Sequence, residues 1–350
     1  MPTYQVIIFQ FIVRFRDKDI GTFFIYQYNF LYLCIDKINR AEKMTLQQLR
    51  YIVAIDDHRH FGKAAEACGL TQSTLSLMVK KLEEELDVRL FDRDAHPVVP
   101  TGIGRKVIDR AKVVLYNADQ LVEMTRTEKE TLSGPLKIAL ISSVAPPLVP
   151  GLFKHIGERY PAIELQTEEM LSDTVKDKLR KAEVDMGILV GPVREPNLLE
   201  IPLYHERFFA YVSPDNPAYA REQIQSSFLR TQPIWIIRDG LRQLVPQDIK
   251  EGRFTYERFF EGGRVGILIQ IVNENGGITF IPETHARMIL FSQQHCIRPI
   301  VDPVPGRTVS LVIRSDYIHE AKLNAVVDAI KQIIPGNLLD KMILKGKLTL

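Results

Sequence analysis

The sequence predicts an α+β multidomain chain: a small helical domain closed by a short hairpin, a long linker helix, and a larger two-lobed α/β domain. Three observations carry the prediction. Apolar residues recur at helical spacing from Met44 to about Glu130, broken once by a strand-like stretch. Ser133-Gly134-Pro135 then punctuates the chain. After it, short apolar runs alternate with amphipathic stretches, the pattern of strands and crossover helices in a parallel sheet.

The bulk numbers agree. A chain of 350 residues suits two or three domains, and 45% hydrophobic with 25% charged residues is a globular composition. The formal net charge is only +2, so any contact with nucleic acid must come from where cations sit, not from their total. Cys34, Cys68 and Cys296 lie far apart and make neither a disulfide framework nor a metal-ligand spacing, which fits a reducing cytoplasm. Residues 1–43 stand apart. Their apolar runs, Val6–Val13 and Thr22–Ile35, are each shorter than the ~20 residues of a membrane span, and no signal-peptide cleavage pattern follows. They read either as an appendage for a membrane or partner or, preferred here, as sequence ahead of a start at Met44, where the capped periodic pattern begins.

From Thr45 to about Asp57, Leu46, Leu49, Ile52 and Val53 define an amphipathic helix. Phe61–Cys68 forms a second, short helix whose Ala64, Ala65 and Ala67 let a neighbour approach closely. Gly69 supplies a positive φ, Leu70 buries in the turn, and Thr71 caps a third helix with Leu75, Val79, Leu82 and Leu86 on one stripe. Helix, tight turn, helix is the helix-turn-helix pattern. The third helix starts with short polar side chains, Gln72, Ser73, Thr74 and Ser76, suited to base edges or phosphates in a major groove. Lys80 lies further along, within reach of phosphates. Val88–Arg93 and Pro97–Pro100 make a hairpin wing that places Arg89 and Arg93 near backbone or minor groove. Glu83, Glu84, Glu85 and Asp87 read as a solvated face turned away from DNA. Thr101 then caps a long helix whose Val107, Ala111, Val114, Ala118 and Leu121 form a heptad-like seam, hence a dimer.

Phe61-Gly-Lys-Ala-Ala-Glu-Ala, Leu70-Thr-Gln-Ser-Thr-Leu-Ser76 and Lys81-Leu-Glu-Glu-Glu-Leu86 with Val88–Arg93 resemble, in order and spacing, the DNA-binding domain of LysR-type regulators. The resemblance runs from Met44 to about residue 335. It implies that Thr71, Gln72, Ser73, Thr74 and Ser76 face promoter DNA, with Lys80 and Arg93 on phosphate. It also implies homodimers or homotetramers, with RNA polymerase a further partner open to such regulators. Leu77 and Met78 depart from the family's polar residues, and Asp87 replaces its usual Gly, which a left-handed Asp tolerates.

Beyond the break, Leu136–Ile141, Ala162–Gln166 and Asp185–Val190 read as strands of a first lobe. Phe208–Val212, Ile234–Ile237 and Gly277–Ile281 belong to a second, and Val309–Ile313 with the helix Ala321–Ile333 returns to the first. Crossovers near residues 206 and 303 leave a cleft between lobes. The expected divisions are an extension (1–43), a winged helix-turn-helix domain (44–101), a linker and dimerisation helix (102–132), an effector domain (133–335) and a tail (336–350). Lobe I comprises 136–206 and 304–335, lobe II 207–303. By resemblance the effector domain is periplasmic-binding-protein-like. Strand ends converge on the cleft, so Ser142, Ser143 and Val144 are candidate contacts for a small effector, through hydroxyls and backbone N–H groups. Arg238, Asn273 and Gly277 complete the set, against the plainer reading that the serines only cap a helix.

Asp185-Met-Gly-Ile-Leu and Gly277–Pro282 look most like the peroxide-sensing branch of the family, which carries a cysteine pair after the strand matching Ile234–Ile237. Here Arg238-Asp-Gly-Leu-Arg-Gln-Leu follows, and no cysteine lies between Cys68 and Cys296, so that disulfide switch is absent. No catalytic constellation, cofactor motif or metal site can be assembled: the histidines are scattered, and Glu261-Gly-Gly-Arg264 lacks the lysine and hydroxyl of a P-loop. The expectation is a cytoplasmic, non-enzymatic, effector-responsive regulator of transcription. The rivals are a solute-binding sensor whose helix-turn-helix no longer works, or an oxidative-stress regulator without the usual disulfide.

Overall fold

The computed structural model describes residues 44–127, 132–229, 232, 234–237, 257–260, 264–346 and 348. They fall into two units, one ending at Leu115 and one beginning at Tyr116. The extension 1–43 and Arg238 lie outside the described residues.

In the first unit, helix α1 (Leu46–His58) opens with a capping box in which the Thr45 hydroxyl accepts the Gln48 N–H and the Gln48 carboxamide accepts the Thr45 N–H. Helix α2 (Phe61–Ala67) is capped by the His60 ring, whose Nδ1 accepts the N–H groups of Gly62 and Lys63. The turn uses Gly69 at φ 68°, the left-handed position expected of it. Helix α3 (Gln72–Leu86) then starts on the Thr71 cap and ends on Asp87 at φ 53°. Ile52, Ile55, Leu75, Val79 and Leu82 are buried together, and Ala64 and Ala65 pack beneath them. Each fully buried Leu or Ile contributes about 1.5–3 kcal/mol, so these stripes decide how the helices pack. Ala67 differs from expectation: it is exposed, one position past the packed face.

Strands β1 (Phe91–Asp92) and β2 (Val99–Pro100) form the antiparallel wing. Helix α4 (Gly102–Thr127) leaves it directly, with the Thr101 hydroxyl accepting the Gly104 N–H. A Cβ on Gly104 would stand 1.9 Å from the Leu90 carbonyl oxygen, so only glycine lets helix and wing touch here. Asp56, buried on α1, is held by Arg59, Arg105 and Lys112, which locks α1 to α4. The expected α4 seam divides. Ala111 is buried and Val107 half-buried in this unit's own core, whereas Val114 and Leu121 remain exposed.

In the second unit, strand β3 (Gly134–Leu140) leads into helix α5 (Ala145–Arg159), β4 (Ile163–Glu169), α6 (Ser172–Arg180) and β5 (Met186–Val190). Strand β6 (Leu198–Val212) is long enough to serve both lobes. After it come β7 (Ile224–Gln225), α7 (Ser226–Leu229), β8 (Ile234–Ile237), β9 (Glu257–Phe260), α8 (Val265–Asn275), β10 (Ile278–Pro282), α9 (Glu283–Ala286) and β11 (Ile297–Val301). Strand β12 (Gly306–Arg314) and helix α10 (Glu320–Ile333) return to the first lobe, and a short helix α11 (Lys341–Leu344) is the last element among the described residues.

The first lobe has strand order β4-β3-β5-β12-β6 and the second extends from β6 through β10 and β8 to β9, with β11 and β7 on the other edge of β6. Strands β4, β3 and β5 run parallel, β12 runs antiparallel between β5 and β6, and β6 therefore runs the same way as the first three. The chain therefore passes between lobes at Glu206–Phe208 and comes back at Asp302–Gly306, where the Phe208 N–H donates to the Pro305 carbonyl. Separate apolar clusters fill the lobes. Among the described residues after 335, the chain is less of a tail than the sequence suggested. Leu338, Ile343 and Leu348 are buried in the first lobe's core, Leu339 bridges to Tyr204, and Asp340 bonds His205 at 2.6 Å.

Candidate functional site

Two groups of side chains stand out, one in each unit. At the start of α3 the Thr71 hydroxyl accepts the Thr74 N–H and also bonds the hydroxyls of Ser73 and Thr74 at 3.0 and 2.8 Å. Gln72 and Ser73 are exposed, and Ser76 lies one turn on, on the same face. Leu77 is 63% exposed, an apolar side chain free to meet a thymine methyl. Lys80 is exposed and loosely paired with Glu84 at 3.6 Å. Arg89 is exposed; its carbonyl accepts the Thr101 hydroxyl at 2.7 Å, and among the described residues its guanidinium makes no hydrogen bond or ion pair. The structure thus places these polar and basic groups on one exposed helix start and its wing.

Arg93 and Glu83 differ from the sequence reading. Arg93 donates to Ser76 Oγ at 3.1 Å and to Glu83 Oε2 at 2.9 Å, and its guanidinium covers the Phe61 ring at 5.2 Å. Glu83 is no solvated acid. Its Oε1 accepts the N–H groups of Leu90 and Phe91 at 2.7 and 3.3 Å, so one carboxylate ties the wing to α3. The physical reason is that the wing's first N–H groups are left over by a two-residue hairpin and need an acceptor.

The second group sits where the chain crosses between lobes. Arg307 and Glu206 are direct cross-strand neighbours on β12 and β6, with side chains 2% and 0% exposed. Arg307 Nε donates to Glu206 Oε1 at 2.8 Å, Nη1 to Ser143 Oγ at 2.9 Å and Nη2 to the Ser143 carbonyl at 3.0 Å. Glu206 Oε2 accepts the Thr284 N–H and hydroxyl at 3.0 and 2.7 Å. First-lobe Ser143 and second-lobe Thr284 are therefore joined through the two crossover residues. His285, next along α9, is buried, and its Nδ1 has no hydrogen-bond partner among the described residues. Burial, and after it the Arg307 charge, pulls its pKa down to about 4, so it is neutral at pH 7.

Of the sequence-predicted cleft residues, the structure brings Ser142 and Ser143 to this crossing. Ser143 does not cap α5: the N-cap is Val144, with no side-chain bond. Val144 is fully buried and its N–H donates to Ile141, so it offers no anion-binding N–H. Asn273 and Gly277 lie elsewhere. Because β10 runs antiparallel to β6, Ile278 pairs with Val212 and only Pro282 reaches Phe208 at the crossing. Gly277 is five residues from Pro282, roughly 17 Å at about 3.3 Å per residue. Asn273 is exposed and accepts the Tyr211 hydroxyl at 2.7 Å. Of the residues missed by the sequence reading, Glu206 and Arg307 had one signal, charged residues inside strand runs, whereas Thr284 and His285 on α9 had none.

Among the described residues no group of three His, Cys, Asp or Glu could hold a metal ion, and no helix is long and apolar enough to cross a membrane. Burial raises the Cys68 thiol pKa, and Cys296 is buried.

Comparison with known proteins places both units. The family profile "Bacterial regulatory helix-turn-helix protein, lysR family" matches residues 46–105, and "LysR substrate binding domain" matches residues 129–334. The chain is 29% identical over 302 residues to "DNA-binding transcriptional dual regulator OxyR" of Escherichia coli K12, covering 86% of this chain and 99% of that one. It resembles a full-length OxyR variant from Pseudomonas aeruginosa with TM-score 0.73 and 30% identity, over 86% of this chain and 99% of the other. A peroxide-bound OxyR variant from Corynebacterium glutamicum matches with TM-score 0.53 and 25% identity, over 83% and 94% of the two chains. With a winged helix-turn-helix, a two-lobed α/β domain and both family profiles in register, the chain belongs to the LysR family of DNA-binding transcriptional regulators with an effector-binding domain.

Proposed function

We propose that this regulator reads promoter DNA with Thr71, Gln72, Ser73, Thr74 and Ser76, steadied on phosphate by Lys80 and Arg89, and that a small molecule bound at the lobe crossing sets its state. It acts in the cytoplasm as a homodimer or homotetramer, carries out no catalysis, and engages RNA polymerase at its promoters. The observation that carries the reading is the Ser143–Arg307–Glu206–Thr284 chain, in which groups from both lobes converge on one buried ion pair. A ligand touching Ser142, Ser143, Thr284 or His285 there meets both lobes at once, and only a ligand with different affinity for two lobe arrangements can shift them.

The chemistry favours a neutral polar effector. Glu206 cancels the Arg307 charge and His285 is neutral, so this group of side chains offers an anion no uncompensated cation. A relative from Pectobacterium carotovorum, 29% identical over 295 residues, is named a hydrogen peroxide-inducible genes activator. Hydrogen peroxide is itself small, neutral and polar, but this chain has no cysteine between Cys68 and Cys296 to form a disulfide after Ile234–Ile237. Any response to an oxidant therefore runs by another route.

The test is binding of the full chain to DNA upstream of its own gene, against an unrelated duplex at the same salt. The reading expects sequence-selective binding that Gln72→Ala weakens by about tenfold, the worth of a paired adenine contact. Equal affinity for both duplexes would contradict it and favour a solute sensor.

A further inference from the structure

We propose that Arg93, held by Glu83, is a positioning residue that takes one lone pair of Ser76 Oγ and so turns the Ser76 hydroxyl hydrogen toward a base, and that this aiming, not a phosphate contact, is its main part in DNA reading. The inference deepens the DNA-reading proposal and rests on it.

The geometry starts from Glu83. Its Oε1 takes two wing N–H groups and its Oε2 takes Arg93 Nη2, so the carboxylate is fixed from both strand and side chain. Arg93 in turn is pinned by Glu83, by the face of Phe61 and by Ser76. Phe61 packs edge-on against Phe91, so the ring under the guanidinium is part of the domain core. A guanidinium cannot accept a hydrogen bond, so the Arg93–Ser76 contact has one polarity: Arg93 donates and Ser76 Oγ accepts. The hydroxyl hydrogen is then free for another acceptor, and among the described residues no carbonyl or carboxylate takes it. The usual alternative for a helical serine, a bond back to the carbonyl four residues earlier, is not made. Ser76 shares its face with Gln72 and Ser73, the exposed residues at the start of α3.

Chemical selectivity follows. A hydroxyl whose hydrogen is free while Arg93 occupies one of its two lone pairs favours purine N7, guanine O6 or thymine O4 over the amino groups of cytosine and adenine. Arg93 commits one N–H of each terminal nitrogen to Ser76 and Glu83, and its charge is offset by Glu83 at 2.9 Å, which weakens its pull on a phosphate.

The experiment selects binding sites from random duplexes with the full chain in four forms: wild type, Ser76→Ala, Arg93→Lys and Ser76→Thr. The proposal expects Ser76→Ala to relax one position per half-site by about three- to tenfold, the worth of one hydrogen bond, while others hold. At that position the wild type prefers a base presenting an acceptor. Arg93→Lys, which keeps the charge but lacks the planar fork, relaxes the same position and leaves the salt dependence unchanged. Ser76→Thr, keeping the hydroxyl, retains the preference and guards against loss of folding as the explanation.

A phosphate contact gives a different signature. Were Arg93→Lys to leave every preference intact, or to weaken all sequences uniformly and flatten the salt slope, the proposal would fail. It would fail too if Ser76→Ala changed no position, or if Ser76→Thr did not rescue. A wild-type chain that selects no sequence at all would remove the DNA-reading proposal itself, and this one with it.

Discussion

The two units carry the same device in two settings. In the first, Glu83 accepts two backbone N–H groups and Arg93, and Arg93 passes a hydrogen bond to Ser76. In the second, Glu206 accepts a backbone N–H, a hydroxyl and Arg307, and Arg307 passes a hydrogen bond to Ser143. The settings differ in water. Arg93 and Glu83 are 38% and 11% exposed, whereas Arg307 and Glu206 are almost fully enclosed. A rim pair is screened and loses little when broken, so its use is in aiming a side chain. An enclosed pair has paid desolvation already, and removing one partner strands a charge. The same three residue types therefore hold a hydroxyl at an exposed helix in one place and tie two lobes together in the other.

Substitutions separate these roles. The largest effect belongs to Glu206→Ala, which leaves Arg307 buried and unpaired and is expected to destabilise the effector domain by about 3–5 kcal/mol. Chemical denaturation followed by Trp235 fluorescence measures it. Pairing the change with Arg307→Met should recover much of the loss, because both charges are then gone. No recovery would mean that packing, not charge, made the site sensitive.

Next comes pH. His285 has its pKa lowered from 6.5 to about 4 in the folded protein, chiefly by burial. The unfolded chain binds a proton that the folded one refuses, so stability falls as pH drops from about 6.5 towards 4, by on the order of 3 kcal/mol once complete. It is restored above 6.5. His285→Asn should flatten that part of the stability profile, and an unchanged profile would show that other groups set it.

At the rim, Glu83→Ala should cost about 1–2 kcal/mol, through two wing N–H groups left without their acceptor. A loss as large as that of Glu206→Ala would erase the contrast between the two settings. The smallest effect is expected from His60→Ala, which removes the α2 cap and about 1 kcal/mol. Thermal unfolding of residues 44–115 within the full chain reads both changes.

What the sequence could tell follows the same division. The first unit was legible because its signals are local: Gly69, the Thr71 cap, the Asp87 end and the Leu75–Val79–Leu82 stripe each act within a turn or two. The Glu83 role was not, since it depends on where the wing folds back. The α4 seam was half legible, as periodicity cannot say that Ala111 turns into its own domain while Val114 and Leu121 stay open. In the second unit the lobes and both crossings were readable from strand runs. The ion pair was not, because Arg307 meets Glu206 across 101 residues and Ser143 across 164. Asn273 and Gly277 were placed at the cleft for want of the β10 direction, which only the register with β6 supplies.

The central claim, that the lobe crossing sets how the DNA-binding heads act, is tested most directly by footprinting on the chain's own upstream DNA. Wild type should be compared with Ser143→Ala, which removes the Arg307 bond to the Ser143 hydroxyl and leaves the ion pair in place. The account predicts unchanged protection at the strongest half-site and altered protection at the second. Identical footprints and identical transcription from that promoter would contradict it.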